Sequence, residues 1–224
     1  SIAKKKFNKK INCFSIDPKN KNYNENKNIL SVINQNNLNH SFVKIKKNNI
    51  QNLNVLEDII KKTSNFVPTT TWFIFNSLCK KIKESNYKVI LSGAGGDEMY
   101  GGYYTHHLHF LYSIRNKNYF NIKFNEWKKH VLPLIRNKNL KNFKTFRNLK
   151  SNKDRKFLEY LGNAIFIKKK SPKLKIPKLK NKLDYFKQNL FLDFFHFTLP
   201  GQLAPMDNIA MYNGLENRSP LLSG

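Results

Sequence analysis

A short strand that runs straight into a glycine loop carrying carboxylates leaves few folds open, and "YKVILSGAGGDEMYGGY" (Tyr87 to Tyr103) is such a stretch. Lys88 to Leu91 is a β-branched run that reads as a strand, and Ser92-Gly93-Ala94-Gly95-Gly96 follows at once. Five of the nine glycines lie between Gly93 and Gly102. In open α/β sheets, ligands sit beyond the carboxyl ends of strands, where glycines let backbone N–H groups approach a phosphate closely. A helix starting near Asp97 would add its positive end at the same spot. Asp97 and Glu98 cannot favour a bare phosphate. A Mg2+ ion held by one or two carboxylates and by phosphate oxygens would remove that conflict. The other reading of the same residues is a tight turn before an acidic helix start that binds nothing. Neither GxxxxGK(S/T) nor GxGxxG occurs, so the two commonest phosphate loops are excluded.

The surrounding pattern sets this loop in an α/β framework. Residues before it alternate short apolar runs with longer amphipathic ones, as strands joined by helices around a parallel sheet do. Ile11 to Asp17 reads as a buried strand, Asn22 to Asn37 as a helix and His40 to Lys46 as a second strand with alternating sides. Ile50 to Ser64 supplies another helix. After Pro68, Thr69-Thr70-Thr71 can cap a further one, in which Phe73, Leu78 and Ile82 recur near helical spacing. Trp72, Phe73 and Phe75 read as core in preference to a base-stacking platform. From Tyr104 onward, mixed Phe, Leu, Ile and Lys with few turn signals predict mainly helices. Lys168 to Lys182, with two prolines in a run of charge, predicts an exposed loop. The division expected is 1–103 as the α/β nucleotide-binding part and 104–224 as the mainly helical part.

Composition decides which partners to consider. The 224 residues are 40% hydrophobic and 13% aromatic, enough for a packed core. A net charge of +27 would point to nucleic acid. The 33 Asn are spread among the lysines, however, and Ile and Phe are frequent, which is what an AT-rich genome encodes. No local cluster resembles a nucleic-acid module, so the sequence argues against that partner. Cys13 and Cys79 each sit in an apolar run without metal-ligand spacing, as reduced buried thiols would. No apolar run approaches the roughly 18 residues of a membrane span, and "SIAKKKFNKK" has no signal-peptide core. A cytoplasmic protein without a membrane partner is expected.

Two stretches carry a family resemblance. "LSGAGGDEMYGGY" (Leu91 to Tyr103) resembles the LSGxGxDExxGGY segment of asparagine synthetases. "LPGQLAPMDNIAMYNGLENRSPLLS" (Leu199 to Ser223) resembles their Asp-x-x-Ser/Ala-Met and Glu-x-Arg-x-Pro-Phe-Leu-Asp segment, through Asp207, Ala210, Met211, Glu216, Arg218, Pro220 and Leu222. The resemblance implies a synthetase domain with a parallel sheet of the ATP-pyrophosphatase (adenine nucleotide alpha hydrolase-like) type followed by helices. It implies that ATP adenylylates a carboxylate, aspartate first of all, and that ammonia from glutamine displaces AMP. By position, Ser92 and Gly93 would contact the nucleotide and Ile16 would line the adenine pocket. Asp97 would hold Mg2+ and pyrophosphate. Glu98 would either sit at the amino-acid substrate or orient the loop. Glu216 and Arg218 would form a structural ion pair behind the site, in preference to a catalytic role.

The departures from the family pattern matter equally. No SGGxDS loop occurs, and the glutaminase domain that would generate ammonia is not in these residues, so the resemblance implies an incomplete chain, inactive by itself. Ala94 stands where many asparagine synthetases carry a Glu, and Ala can do no acid–base work. That keeps a sugar or peptide carboxylate open as the acceptor. Pro205 stands where a basic residue is common, and Ser223 replaces the usual Asp. A further alternative is an RNA-binding or tRNA-modifying relative of the same fold, drawn from the charge. The "HHLH" run (His106 to His109) could in principle ligate a metal, but a third ligand is missing from the pattern.

Overall fold

Two short parallel strand pairs are present in a computed structural model that describes residues 6, 11–17, 25–45, 53–63, 70–151, 154–155 and 183–223. The fold is mixed α/β. The chain divides into two units, one made of Ser1–Gly93 with Gly201–Gly224 and the other of Ala94–Pro200.

In the first unit, β1 (Asn12–Asp17) pairs in parallel with β2 (Asn39–Lys44), from Asn12 opposite Asn39 to Asp17 opposite Lys44. Parallel neighbours need a crossover, and α1 (Asn26–Asn36) provides it. It stops at Asn37, which adopts a left-handed conformation with φ 46° and donates its N–H to the Asn34 carbonyl at 3.2 Å. Next come α2 (Leu53–Thr63) and α3 (Thr70–Glu84). Thr70 and Thr71 are the first helical residues of α3, while Thr69 lies outside the described residues.

Burial on α3 recurs at Trp72, Phe73, Asn76, Cys79 and Ile82, one stripe of a 3.6-residue period. The stripe meets Ile59 of α2 together with Ile209, Ala210 and Leu215. Trp72 and Phe73 are thus core, as the sequence suggests. Asn76 is satisfied there by the Asn213 amide at 2.8 Å. Burial pushes the Cys79 thiol up to about 12, so at neutral pH it is an unionised core group.

The second parallel pair is β3 (Val89–Leu91) with β4 (Glu216–Arg218). Ile90 packs on the core while Val89 and Leu91 face outward. β3 and the two earlier strands lie where apolar runs predict them, and β4 is an addition from the second half of the chain.

The second unit has helices and no strand among its described residues. It holds α4 (Gly96–Tyr100), α5 (Tyr104–Ser113), α6 (Phe120–His130), α7 (Phe143–Asn148) and α8 (Tyr185–Phe195), with α9 (Thr198–Tyr212) beginning just before its end. Pro205 sits inside α9, where it lacks an N–H for the Gly201 carbonyl. Leu108, Leu111 and Ile114 of α5 make the core of this unit with Trp127, Phe143 and Phe146.

Arg155 is buried against that core without a carboxylate among the partners seen for it. Its Nε donates to the Phe146 carbonyl at 3.1 Å, and its guanidinium also reaches the Arg147 and Leu149 carbonyls. These are end-of-helix acceptors of α7, which favour a cation. The Tyr112 ring lies 4.2 Å below the guanidinium. The stretch Lys168 to Lys182 lies outside the described residues, and no helix among them is long and apolar enough to cross a membrane.

Phe146 is fully buried, so Phe146→Ala should cost about 3–5 kcal/mol of unfolding free energy in urea titrations. A loss below about 1 kcal/mol would show that the ring is not in a packed core.

Candidate functional site

β3 delivers the glycine loop, and its pairing with β4 decides what the loop's first residues meet. Val89, Ile90 and Leu91 lie opposite Glu216, Asn217 and Arg218. The ladder is extended at both ends: Glu216 N–H donates to the Lys88 carbonyl at 2.7 Å, and Ser92 N–H to the Arg218 carbonyl at 2.9 Å. Ser92 is held a second time, through its Oγ, which lies 2.9 Å from the Ser219 Oγ. Gly93, the next residue, is exposed, and a Cβ built on it would meet nothing within 4 Å. Packing among the described residues does not require a glycine there, and the direction a side chain would take is open.

Ser219 borders a cleft of about 530 Å³ lined also by Asp207, Asn217, Arg218 and Ser223. The cleft therefore presents groups of both charge signs. Arg218 Nε lies 2.7 Å from Glu216 Oε1, and both side chains are exposed. The hydrogen bond from Arg218, and then its charge, hold the Glu216 carboxyl below the usual carboxylate range. The Asn217 Oδ1 is buried and has no hydrogen-bond partner among the described residues. Ile16, on β1 opposite Val43, is half-buried in the same unit.

The remaining two expected site residues, Asp97 and Glu98, belong to the second unit. Gly95 caps α4 with φ 91°, a left-handed conformation costly to any residue with a side chain. The helix it opens is five residues long, so few peptide dipoles align and the positive end expected near Asp97 is weak. Along that single turn the two acids diverge, because neighbours on a helix point about 100° apart. Asp97 is exposed, and its Oδ1 lies only 1.8 Å from where a Gly102 Cβ would be. Glu98 is 2% exposed and accepts a hydrogen bond from the Tyr103 hydroxyl at 2.6 Å. Only Asp97 of the pair has a carboxylate open to solvent.

The histidines that follow turn inward. His106 and His109 are buried, and His106 Nε2 lies 3.2 Å from Asp193 Oδ2. Burial, above all, pushes His107 below its ordinary value of 6.5. Among the described residues no group of three His, Cys, Asp or Glu side chains is arranged to hold a metal. Asp97 is the open carboxylate of the loop.

Sequence reading missed the roles of Ser219, Asn217 and Tyr103. The signal available for the first two was the "GLENRSP" stretch, whose pairing with β3 no local pattern reveals. A comparison joins these features: the asparagine synthase family model matches residues 1–223, and the chain belongs to that family of ATP-dependent ligases. No curated protein matches the chain.

Gly93→Ala should change stability by no more than about 0.5 kcal/mol, as expected of a surface site without a special contact. Gly102→Ala should instead drive Asp97 into a new rotamer, visible in a crystal structure of the variant, at a cost of about 0.5–1.5 kcal/mol. An unmoved Asp97 side chain in that variant would contradict the close approach.

Proposed function

We propose that the chain is the synthetase part of a glutamine-dependent amidotransferase of the asparagine synthase type, with an ATP-pyrophosphatase-like fold. The observation that carries this reading is the family match over residues 1–223, beside which stand the exposed Gly93 and the exposed Asp97 of the glycine loop.

In this reading aspartate is the acceptor. A carboxylate is a poor electrophile, and its transfer to AMP with loss of pyrophosphate makes attack by neutral ammonia feasible. Gly93 would lie against the nucleotide, since any side chain there would occupy the space that the backbone leaves open. Ser92, anchored on Arg218 and Ser219, would present the loop in one place, and Ile16 would line the adenine pocket. Asp97 fits Mg2+, because one or two carboxylates plus phosphate oxygens and waters are its usual shell. The ion would neutralise departing pyrophosphate. Glu98, buried on Tyr103, would orient the loop, which we prefer to contact with the acceptor. Glu216 and Arg218 remain a structural pair. Ammonia would come from a glutaminase domain, and the setting would be cytoplasmic.

Ala94 supports a second acceptor class, a sugar or peptide carboxylate, because no carboxylate stands at the position where aspartate-using members carry one.

The test is pyrophosphate release from ATP in the complete protein, with ammonium as nitrogen donor and a panel of carboxylate acceptors. Aspartate should support release, and Asp97→Asn should lower it by about 100-fold or more, the scale of a lost charge-stabilising group. Release unchanged by Asp97→Asn would sink the assignment, and turnover of a sugar or peptide carboxylate without aspartate turnover would select the second class.

A further inference from the structure

A line of buried and half-buried polar side chains in the second unit leads to Glu98, and its members behind Tyr103 have no place in the reaction described above. It starts at Thr198, whose Oγ1 donates to Asp193 Oδ1 at 2.8 Å. Asp193 Oδ2 faces His106 Nε2 at 3.2 Å. On the other side of the ring, His106 Nδ1 accepts the Tyr103 backbone N–H at 3.3 Å. Tyr103 in turn donates its hydroxyl to Glu98 at 2.6 Å. His106 is 1% exposed and Asp193 8%. Four helices contribute: α9 begins with Thr198, α8 carries Asp193, α5 carries His106, and α4 carries Glu98.

We propose that His106 and Asp193 are a positioning pair for the glycine loop, holding Tyr103 and, through its hydroxyl, Glu98. The bonding directions define the state of the ring. A backbone N–H can only donate, so Nδ1 must be the bare nitrogen and the proton sits on Nε2, directed at Asp193. The imidazole is thereby neutral with both nitrogens engaged. A side chain at the third helical position that accepts from the residue before the helix is a known start device. A cap alone, however, needs neither a buried ring nor a carboxylate behind it, because the same bond forms at the surface. The carboxylate fixes the tautomer, the tautomer fixes the acceptor, and the acceptor fixes Tyr103. Glu98 shares the five-residue α4 with Asp97, so what immobilises Glu98 also sets the direction of the open carboxylate.

The part of this inference that concerns nucleotide rests on the proposed function, whereas the positioning itself does not. Two readouts separate them: hydrogen exchange at the Met99, Gly101 and Gly102 amides, which bond back to Gly95 and Asp97, and the KM for ATP. Tyr103→Phe and His106→Ala should each speed exchange at these amides by about tenfold, the scale of one lost hydrogen bond. Each should raise the ATP KM by a similar factor, with kcat changed less. His106→Asn, whose Oδ1 replaces the Nδ1 acceptor, should recover part of the loss, and His106→Gln, which restores only the donor toward Asp193, should recover less. Faster exchange without ATP binding by the wild-type protein would leave the positioning standing and remove the nucleotide reading. Unaltered exchange in Tyr103→Phe would overturn the proposal. If His106→Ala raises exchange across α6 and α7 as well, it has unfolded, and Tyr103→Phe, which loses a single hydroxyl, decides.

Discussion

The parallel pairing of β3 with β4 is the contact on which the organisation of the loop depends. It joins residues far apart in the chain through three opposed positions and two flanking hydrogen bonds. Because Arg218 accepts the Ser92 N–H, the chain must leave β3 at a defined point, and Ser219 meets Ser92 as a consequence. The cleft lined by Asp207, Asn217 and Arg218 is bordered by the same strand. Three residues of ladder would be marginal in isolation. The Ile209, Ala210 and Leu215 side chains beside β4 are buried with α2 and α3, and that apolar burial fixes the strand.

Past Gly93 the constraint changes from backbone pairing to buried polarity. Adjacent acids on α4 meet opposite environments, with Asp97 in solvent and Glu98 enclosed beside Tyr103. A buried carboxyl is tolerated when donors reach it, and the Tyr103 hydroxyl does so at 2.6 Å. Tyr103 is itself tied to His106, and Asp193 receives Thr198 as well as the ring. Removing one member of such a chain leaves its neighbour's polar atom unpaired in an apolar surround, which makes these networks costly to break.

The strong positive charge has little to do with either arrangement. Where lysines pair with acids in the described residues, as Lys61 with Glu57, Lys123 with Glu126 and Lys187 with Asp184, the partners are exposed near neighbours along a helix or at its cap. Such pairs contribute little to stability because water screens them. Buried Arg155 is the contrast, held by carbonyls and an aromatic face. Its neighbour Tyr185 is pushed up to about 12 chiefly by burial, so its hydroxyl stays protonated beside the guanidinium.

The sequence alone determined the local elements and the family. β1, β2 and β3 follow from short apolar runs, α1 to α3 from helical spacing, and the loop from its glycines, because each of these signals acts within a few residues. By resemblance it also assigned Asp97 and Glu98 different roles, but it could not tell which of them is buried, since which face of a short helix is covered depends on what packs against it. Tertiary structure decided that Glu98 turns inward to Tyr103 and that Asp97 stays open. It also decided that Glu-Asn-Arg, three polar residues without a strand-like period, form β4, because a strand of that kind is defined by its partner's hydrogen bonds and not by its own side chains. The His106–Asp193 contact is of the same origin: periodicity locates apolar faces, whereas the partner of a buried polar atom is chosen only when distant helices meet.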